Sequence, residues 1–510
     1  VPAPAAAPGA GQPAAGAGAP VAAAPMPVVA ETTTVNAGGS AWGFVSPGAA
    51  PASVTLGEYQ SLYPGKRGTP VELVRANDRL LRFRLALGPD TVSLESLPLA
   101  VTQSRAANGA TTVEYRGTTP RGQGVAVTYQ LPADSGAHLA HVQVAVSGAP
   151  AGSALLLELP RQLRTQEADT VQDLTHLAYS YKRGGEDVEG VNFTKLDSLA
   201  VRTDSGPFRW VAVRNKYFLA AVMGEGNAEP ITALRMQGGR RVDKRVPVEA
   251  FGVAVMPLTG GTTRFQLYAG PQKYQRLNAL GSDLVNANPY GGWLHAIVQP
   301  FATIVMRALL WMKNTTQLSY GWVLVLFGIL IRVAIWPLNQ SAMRSSIKMQ
   351  RLQPELQAVQ AKYKNDPEKQ RDALMKLYQS HGMSPFSPML GCLPMLLPMP
   401  VLFALYFVFQ NTIEFRGVPF LWMPDLALHD PYYITPVFMG VSMLVLSLIG
   451  MKGTPSNPQT KVMAYMMPGM MTVLFWRFPA GLNLYYAVQN LVALPQQWLL
   501  TRERTAAQRT

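Results

Sequence analysis

The chain has 510 residues, with 44 Lys and Arg against 30 Asp and Glu, and a net charge of +14. This length exceeds what one compact core usually holds, so at least two domains are expected. Its single cysteine, Cys392, excludes an intrachain disulfide framework and any multi-cysteine metal site.

Residues 1–31 consist almost entirely of Ala, Pro, Gly and Val, a composition typical of a flexible linker. Because the chain begins with Val and no apolar span precedes residue 300, we expect that an upstream segment was removed or that the sequence is a fragment.

Residues 32–285 show short runs of alternating apolar side chains between Gly, Asp, Ser and Pro clusters. Two such runs are Val125, Val127, Tyr129 and Val142, Val144, Val146. Period-two alternation indicates half-buried strands, so this region is predicted to be an all-β sandwich. Within it, Asp169, Asp173 and His176 are close in sequence. That grouping favours a solvated loop over a metal or sugar site.

Residues 286–318 contain an apolar helical pattern interrupted by polar residues and proline. Trp293, Ile297, Phe301, Ile304, Val305, Leu309 and Met312 fall near one helical face. Trp293 and Trp311 suit a water–lipid boundary. We therefore expect an amphipathic helix lying in the membrane interface rather than crossing it.

The most informative stretch is Ser319–Asn339, which is apolar enough to span a bilayer but contains Arg332. A guanidinium within the hydrocarbon costs roughly 2.5–3.5 kcal/mol on insertion scales, and intramembrane charges are usually functional. One interpretation is an arginine that snorkels to the interface. The other is a wet, positively charged cavity that receives a polar group from outside the protein.

Residues 341–381 follow as a strongly basic segment, which the distribution of charge assigns to the cytoplasm. Asp366 followed by Pro367 predicts an N-cap and a first helical residue. The segment is therefore predicted to form a helical hairpin, although a loop that serves topology alone is an alternative.

Four further apolar segments contain no Asp or Glu: 394–412, 434–450, 463–478 and 481–500. Together with the first span they predict an α-helical bundle of five transmembrane helices within residues 319–502. Most flanking basic residues fall on one side, which places the short tail, 503–510, in the cytoplasm and the β domain outside.

The last predicted span carries a polar stripe, and methionines are frequent in several spans. The stripe consists of Asn483, Tyr486, Asn490 and Gln497. It could line a hydrophilic groove with Arg332 or join helices by hydrogen bonds. The methionines expected to contact apolar substrates are Met395, Met399, Met439 and Met470. Flexible Met side chains suit varied apolar partners, whereas core filling is the alternative for each.

Several motifs in residues 288–502 resemble the YidC family of membrane protein insertases in unbroken order. They are ILIRVAIWPLN, MQRLQPELQAVQ, SPFSPMLGCLPMLLPMPVLFALYFV, LWMPDLALHDPYYITPVFMGV and FPAGLNLYYAVQN. The first half resembles the large periplasmic domain of the Gram-negative members through AWGF, RWVAVRNKYF and YAGPQKY. The family's additional first membrane helix is missing from this sequence.

The resemblance implies a multi-pass protein of the bacterial inner membrane that inserts nascent membrane proteins and helps them fold. Arg332 matches the family's groove arginine, and Tyr486 a substrate-contacting tyrosine. A position that often bears a hydroxyl in the family is Gly328 here, which leaves no side-chain contact at that position. Membrane lipids, the Sec translocon and the ribosome are the expected partners.

The sequence contains no Gly-rich phosphate-binding loop with Lys-Ser/Thr, so nucleotide hydrolysis is not expected. The β region shows no catalytic constellation, and no other enzymatic activity is expected. No cofactor, metal or DNA is expected either. Two rival functions stay open: a secondary transporter with Arg332 as its anion site, and a sugar-binding or sugar-modifying envelope protein. The transporter would require repeated halves, which the five unlike spans do not show.

Overall fold

The computed structural model describes residues 31–37, 39–134, 137–243, 246–288, 295–364, 366–380, 399–452 and 458–506. Nearly all of the predicted linker, and Trp293, Met395 and Cys392, lie outside the described residues. Within the described residues a β domain is followed by a helical region.

The β domain contains two antiparallel sheets. The smaller sheet has four strands in sequential order: β1 (Glu31–Ala37), β2 (Ser40–Ser46), β3 (Ala50–Gln60) and β4 (Pro70–Glu72). The larger has fourteen strands: β5 (Arg82–Leu87), β6 (Asp90–Ser93), β7 (Ala100–Arg105), β8 (Thr111–Thr118), β9 (Gly124–Leu131), β10 (Leu139–Val146), β11 (Ala154–Glu158), β12 (Ala178–Arg183), β13 (Glu189–Asn192), β14 (Arg202–Arg214), β15 (Phe218–Met223), β16 (Ile231–Gly238), β17 (Ala250–Pro257) and β18 (Thr262–Pro271).

The larger sheet follows the order β6-β5-β11-β17-β16-β14-β15-β18-β10-β9-β8-β7, with β12 beside β14 and β13 beside β12. One apolar core includes side chains from both sheets. For example, Phe44 of β2 packs on Tyr129 of β9 with ring centroids 4.5 Å apart. The sheets therefore pack face to face, and the predicted β-sandwich is confirmed.

Alternation along the strands matches the sequence prediction. The six alternating residues of β9 and β10 are all buried: Val125, Val127, Tyr129, Val142, Val144 and Val146. β15 differs because every residue from Phe218 to Met223 is buried. Its second face packs against a smaller apolar cluster that includes Leu277 of α2 (Tyr274–Leu280). Burial on both faces explains its continuous apolar run.

The helical region contains seven described helices: α3 (His295–Thr316), α4 (Tyr320–Lys362), α5 (Pro367–Ser380), α6 (Met399–Asn411), α7 (Ile434–Met451), α8 (Pro458–Leu474) and α9 (Ala480–Ala506). α4 runs from the predicted span directly into the predicted hairpin as one helix of 43 residues. The break between the hairpin arms falls at Asp366, whose carboxylate accepts a hydrogen bond from the Lys369 amide at 3.2 Å.

Three described segments are long and apolar enough to cross a membrane, against the five predicted spans: Ala296–Thr316, Tyr320–Pro337 and Ile434–Met451. The described part of the 394–412 segment is a shorter apolar helix, Val401–Asn411. α8 has only 17 residues, and polar side chains dilute the apolar character of α9. The five-span count therefore stays a prediction.

α3 differs from the predicted amphipathic helix on the side that faces away from the core. Val305, Leu309 and Met312 of the predicted face are buried, but Ile297 and Ile304 are exposed at 58% and 65%. The exposed side of α3 is thus also apolar, unlike the polar face of an interfacial helix. By length and composition α3 is able to cross a bilayer, and its interfacial placement stays a prediction.

The two parts of the molecule meet at the loop after α6. Ile413 contributes to the apolar core of the β domain. Arg416 forms an ion pair with Glu167, with Nε and Oε1 2.8 Å apart and side-chain exposures of 4% and 7%. Its Nη1 and Nη2 donate to the carbonyl oxygens of Gln60 and Gln166 at 2.9 and 3.2 Å. Every nitrogen of this buried guanidinium therefore has an acceptor in the β domain.

Candidate functional site

A cavity of about 160 Å³ lies between α4, α6, α7 and α9. Its lining is mixed: Ile331, Arg332, Ile335, Val401, Leu446, Tyr485, Tyr486, Gln489, Asn490 and Ala493. At about 30 Å³ per molecule, this volume holds on the order of five waters. The cavity is suited to a short polar segment, and it is too small for a whole helix.

Arg332 is half-buried on α4 and points to α9. Its Nη2 donates a hydrogen bond to Oε1 of Gln496 at 3.0 Å, and Gln496 Nε2 donates to the carbonyl oxygen of Trp336 at 3.2 Å. Its buried Nε has no hydrogen-bond partner within the described part of the chain. The arginine is therefore held by a neutral amide, which leaves its positive charge uncompensated there.

The predicted polar stripe divides into two groups. Tyr486 and Asn490 line the cavity with Arg332. Asn490 Nδ2 also donates to the Met439 carbonyl and to Ser442 Oγ on α7, at 3.3 and 3.1 Å. The stripe is therefore partly a cavity wall and partly a link between helices.

The other two stripe residues do not line the cavity. Asn483 is fully buried and donates to the Phe475 carbonyl at the turn between α8 and α9, at 3.2 Å. Gln497 is 9% exposed and lies against Gly450 at the end of α7. Both residues serve helix packing. They share the face of Asn490 but each lies about 10 Å from it along the helix axis, beyond the reach of the cavity.

Sequence reasoning missed a second polar row on α9 formed by Tyr485, Gln489 and Gln496. Gln489 Nε2 donates to the Gly328 carbonyl on α4 at 2.7 Å. A Cβ at Gly328 would lie 3.1 Å from Val488 Cγ1, so the glycine allows close packing of α4 on α9. The offsets of 4 and 11 within this row are the signal that would have identified it.

The methionines lie in different environments. Met439 is 2% exposed and belongs to the core of the helical region, which supports packing rather than substrate contact. Met470 of α8 is 48% exposed and is available to an apolar partner. Met399 begins α6, but its side chain, like all of Met395, lies outside what the structure describes.

Of the group Asp169, Asp173 and His176, Asp173 is buried, whereas Asp169 is exposed as predicted and His176 is half-buried. Asp173 accepts hydrogen bonds from the Lys216 amide and Asn215 Nδ2 at 3.1 and 3.3 Å, and burial raises its pKa to about 7. Asp169 caps helix α1 (Thr170–Thr175). Within the described ranges no cluster of three or more His, Cys, Asp or Glu side chains could hold a metal.

The chain combines a β-sandwich with apolar helices of membrane length, and an arginine lines a cavity of mixed lining between those helices. This combination defines a membrane protein with a large domain outside the lipid. Two family models match the chain: "YidC periplasmic domain" over residues 43–304 and "60Kd inner membrane protein" over residues 311–508. The first alone covers more than half of the sequence. The chain belongs to the YidC family, and its β-sandwich is the periplasmic domain.

Individual relatives agree with the family models. A protein of Anaeromyxobacter dehalogenans (strain 2CP-C) named "Membrane protein insertase YidC" is 38% identical over 310 residues, covering 59% of this chain and 53% of the relative. One of the same name from Burkholderia multivorans is 32% identical over 362 residues, covering 70% and 63%. The chain spans about half the length of the first of these relatives. The crystal structure of YidC from Thermotoga maritima matches 91% of this chain and 97% of that one at 15% identity, with a TM-score of 0.32.

Proposed function

We propose that this protein is a membrane protein insertase that passes the polar part of a nascent chain through the cavity around Arg332. The observation that carries the proposal is the hydrogen bond between the Arg332 guanidinium and Gln496, since an amide accepts this bond without neutralising the charge. Family membership and the relatives' printed name support the same activity.

The mechanism follows from two opposing free energies. Transfer of a client's polar segment from water into hydrocarbon has a large unfavourable desolvation free energy. A wet, positively charged cavity lowers this free energy. The client's apolar helix gains roughly 25 cal/mol for each Å² that it buries in lipid, which drives insertion without nucleotide. Because the cavity holds only a short polar segment, the client's apolar helix lies outside it, on the side where the cavity faces lipid.

The residues then have distinct roles. Arg332 supplies positive potential, and Tyr486 and Asn490 keep the cavity polar. Gln489 and Gln496 position α4 and the guanidinium. Met470 provides an exposed apolar contact.

The proposed setting is the bacterial inner membrane, with five spans and with the 341–381 hairpin in the cytoplasm. Nascent membrane proteins and lipids are the proposed partners. The family resemblance adds the Sec translocon and the ribosome as the proposed sources of these clients. In a Cys392→Ser background, Lys364→Cys should react only from the cytoplasmic side and Leu421→Cys, at a position 67% exposed, only from outside. Labelling of both from one side would contradict this topology.

The test of function is insertion into liposomes of paired single-span clients that differ in one aspartate of the outer segment. Arg332→Lys should retain part of the yield, because charge survives without the guanidinium fork. Arg332→Ala and Arg332→Glu should reduce insertion of the aspartate client most. Arg477→Ala, an exposed arginine outside the cavity, is the matched control. Equal yields for every variant at position 332 would refute the role of its charge.

A further inference from the structure

The β domain exposes several apolar side chains around strands β14, β16 and β17. Leu199 and Val201, in the loop before β14, are 93% and 57% exposed. Val242, in the loop after β16, is 73% exposed, and Phe251 of β17 is 40% exposed. Single exposed apolar residues are ordinary on a protein surface, whereas neighbouring ones that form a patch mark an interaction surface.

Hydrogen bonds and strand register bring the segments that carry these residues together. Gln237 of β16 lies opposite Phe251 of β17, and its Nε2 donates to the Ser198 carbonyl at 2.8 Å. The Arg241 guanidinium donates to the Leu196 carbonyl, which joins the loop after β16 to the loop before β14. These contacts define one surface, called the loop patch below, with four apolar members: Leu199, Val201, Val242 and Phe251.

The loop patch is bordered by positive charge. The segments 195–202 and 239–249 together contain six Arg and Lys against three Asp and Glu. Arg240 is exposed in the second segment, and the exposed Arg161 places its Cζ 5.0 Å from the centroid of the Phe251 ring. Apolar side chains among Arg and Lys are typical of surfaces that lie in the headgroup region of anionic membranes.

The loop patch is also close to the part of the chain that enters the membrane. Arg161 at the patch is six residues before Glu167 at the junction, and six extended residues span at most roughly 22 Å. Glu167 forms its ion pair with Arg416, which follows the end of the apolar helix α6 by five residues. The end of α6 marks the level of the lipid headgroups, so the patch lies within reach of them.

We propose that the loop patch docks on the anionic outer surface of the bilayer beside the helical region. Its apolar side chains enter the headgroup boundary, and Arg161 and Arg240 lie near the lipid phosphates. This role goes beyond insertion, because it concerns how the β domain is held. The junction at Arg416 provides one attachment, and lipid contact at the loop patch adds a second that fixes the orientation of the β domain over the helices.

The experiment uses the full chain with Cys392→Ser in nanodiscs that contain a lipid with a nitroxide at the start of its acyl chain. A fluorophore on Leu199→Cys reports contact with lipid through quenching. We expect strong quenching in discs that contain phosphatidylglycerol and weak quenching in pure phosphatidylcholine, because the cations attract anionic headgroups. A fluorophore on Ser104→Cys, an exposed position on the end strand β7, should be quenched in neither.

Two substitutions then test the residues of the patch with the label on Leu199→Cys. Arg240→Gln should lower the ratio of docked to undocked protein roughly fivefold, since each cation near an anionic surface contributes to binding. Val242→Ser should also reduce quenching, and its exposure means that the fold tolerates the change. Arg105→Gln, which removes an exposed cation of β7, is the matched control and should have no effect.

Three results would overturn the proposal. A Leu199→Cys label that is quenched in neither kind of disc would show that the patch does not reach lipid. Equal quenching in both kinds would remove the role of the cations, and unchanged quenching in Arg240→Gln and Val242→Ser would assign the contact to another surface. Docking needs no insertion, so Arg332→Ala separates the two hypotheses: it should reduce insertion of acidic clients and leave quenching unchanged.

Discussion

Replacing Arg416 with methionine should loosen the junction between the β domain and the helical region. The substitution leaves the Glu167 carboxylate buried without its cation and removes the donors to two β-domain carbonyls. Breaking one side of a buried ion pair costs roughly 3–5 kcal/mol. Burial raises the pKa of Glu167, and Arg416 opposes that rise. Without Arg416 the Glu167 carboxyl should therefore take up a proton, which limits the lost stability to roughly 3–5 kcal/mol.

The effect is measurable as hydrogen exchange of amides that close the junction. The Tyr274 amide donates to Glu414 at 3.1 Å across the junction. Within the β domain, the Leu62 amide donates at 2.8 Å to the Gln166 carbonyl that also accepts from Arg416. A loss of roughly 3–5 kcal/mol in local opening free energy predicts exchange faster by roughly two to four orders of magnitude at these amides. Exchange mass spectrometry of the protein in nanodiscs would measure it.

Two further variants isolate the cause. Arg209→Met breaks an ion pair with Glu229 whose side chains are 31% and 26% exposed, and it should cost no more than about 1 kcal/mol. Arg416→Met combined with Glu167→Met should restore much of the protection, because neither charge is left buried. Wild-type exchange in the single variant would refute the reasoning. If amide exchange in the double variant is as fast as in the single one, the cause is lost packing of the guanidinium on Phe218. The Arg416 Cζ lies 5.5 Å from the centroid of that ring.

Gly440→Ala should destabilise the helical region, because the new Cβ would lie 1.8 Å from Thr472 Oγ1 on α8. Gly469→Ala is the control, since its Cβ would meet nothing within 4 Å. Thermal unfolding of both variants tests this contrast. Burial raises the pKa of Glu414 from 4.5 to about 7. The folded state therefore binds more protons between these pH values, and stability falls as pH rises through them. Glu414→Gln, which keeps the acceptor for the Tyr274 amide, should remove this fall, worth on the order of 1–3 kcal/mol at pH 8; an unchanged pH profile of unfolding would contradict it.

The sequence predicted those features that depend on local pattern. Period-two alternation identified β9 and β10, and Asp366 with Pro367 located the break in the hairpin. Arg332 was identified because a charge is rare in an apolar span. In each case the physical signal lies within a few residues, where propensity and periodicity act.

Features that depend on distant contacts were not predictable in this way. The role of Arg416 depends on its partner Glu167, which is 249 residues away in sequence. Gln496 was overlooked in favour of Gln497, since one residue along a helix turns a side chain by about 100° toward another neighbour. Only the packing of α4 on α9 decides which of the two glutamines meets the arginine.

A comparison of Arg416 with Arg332 provides the last prediction, because Arg416 is paired with a carboxylate and Arg332 with an amide. Gln496→Glu would give Arg332 the kind of partner that Arg416 has, with little change in volume. The new ion pair should keep the protein folded, although the hydrogen bond to the Trp336 carbonyl is lost. It should also cancel most of the positive potential in the cavity. At an effective dielectric of 20, the attraction between Arg332 and a client aspartate about 8 Å away is roughly 2 kcal/mol.

The expected result is therefore a loss of roughly tenfold or more in the rate of insertion for the aspartate client, with the neutral client unaffected as an internal control. Arg332→Ala should give a similar pattern, although it removes the charge instead of neutralising it. If folded Gln496→Glu protein inserts the aspartate client at the wild-type rate, the net charge of the cavity does not act on the client. The amide would then serve only to position α9 on α4.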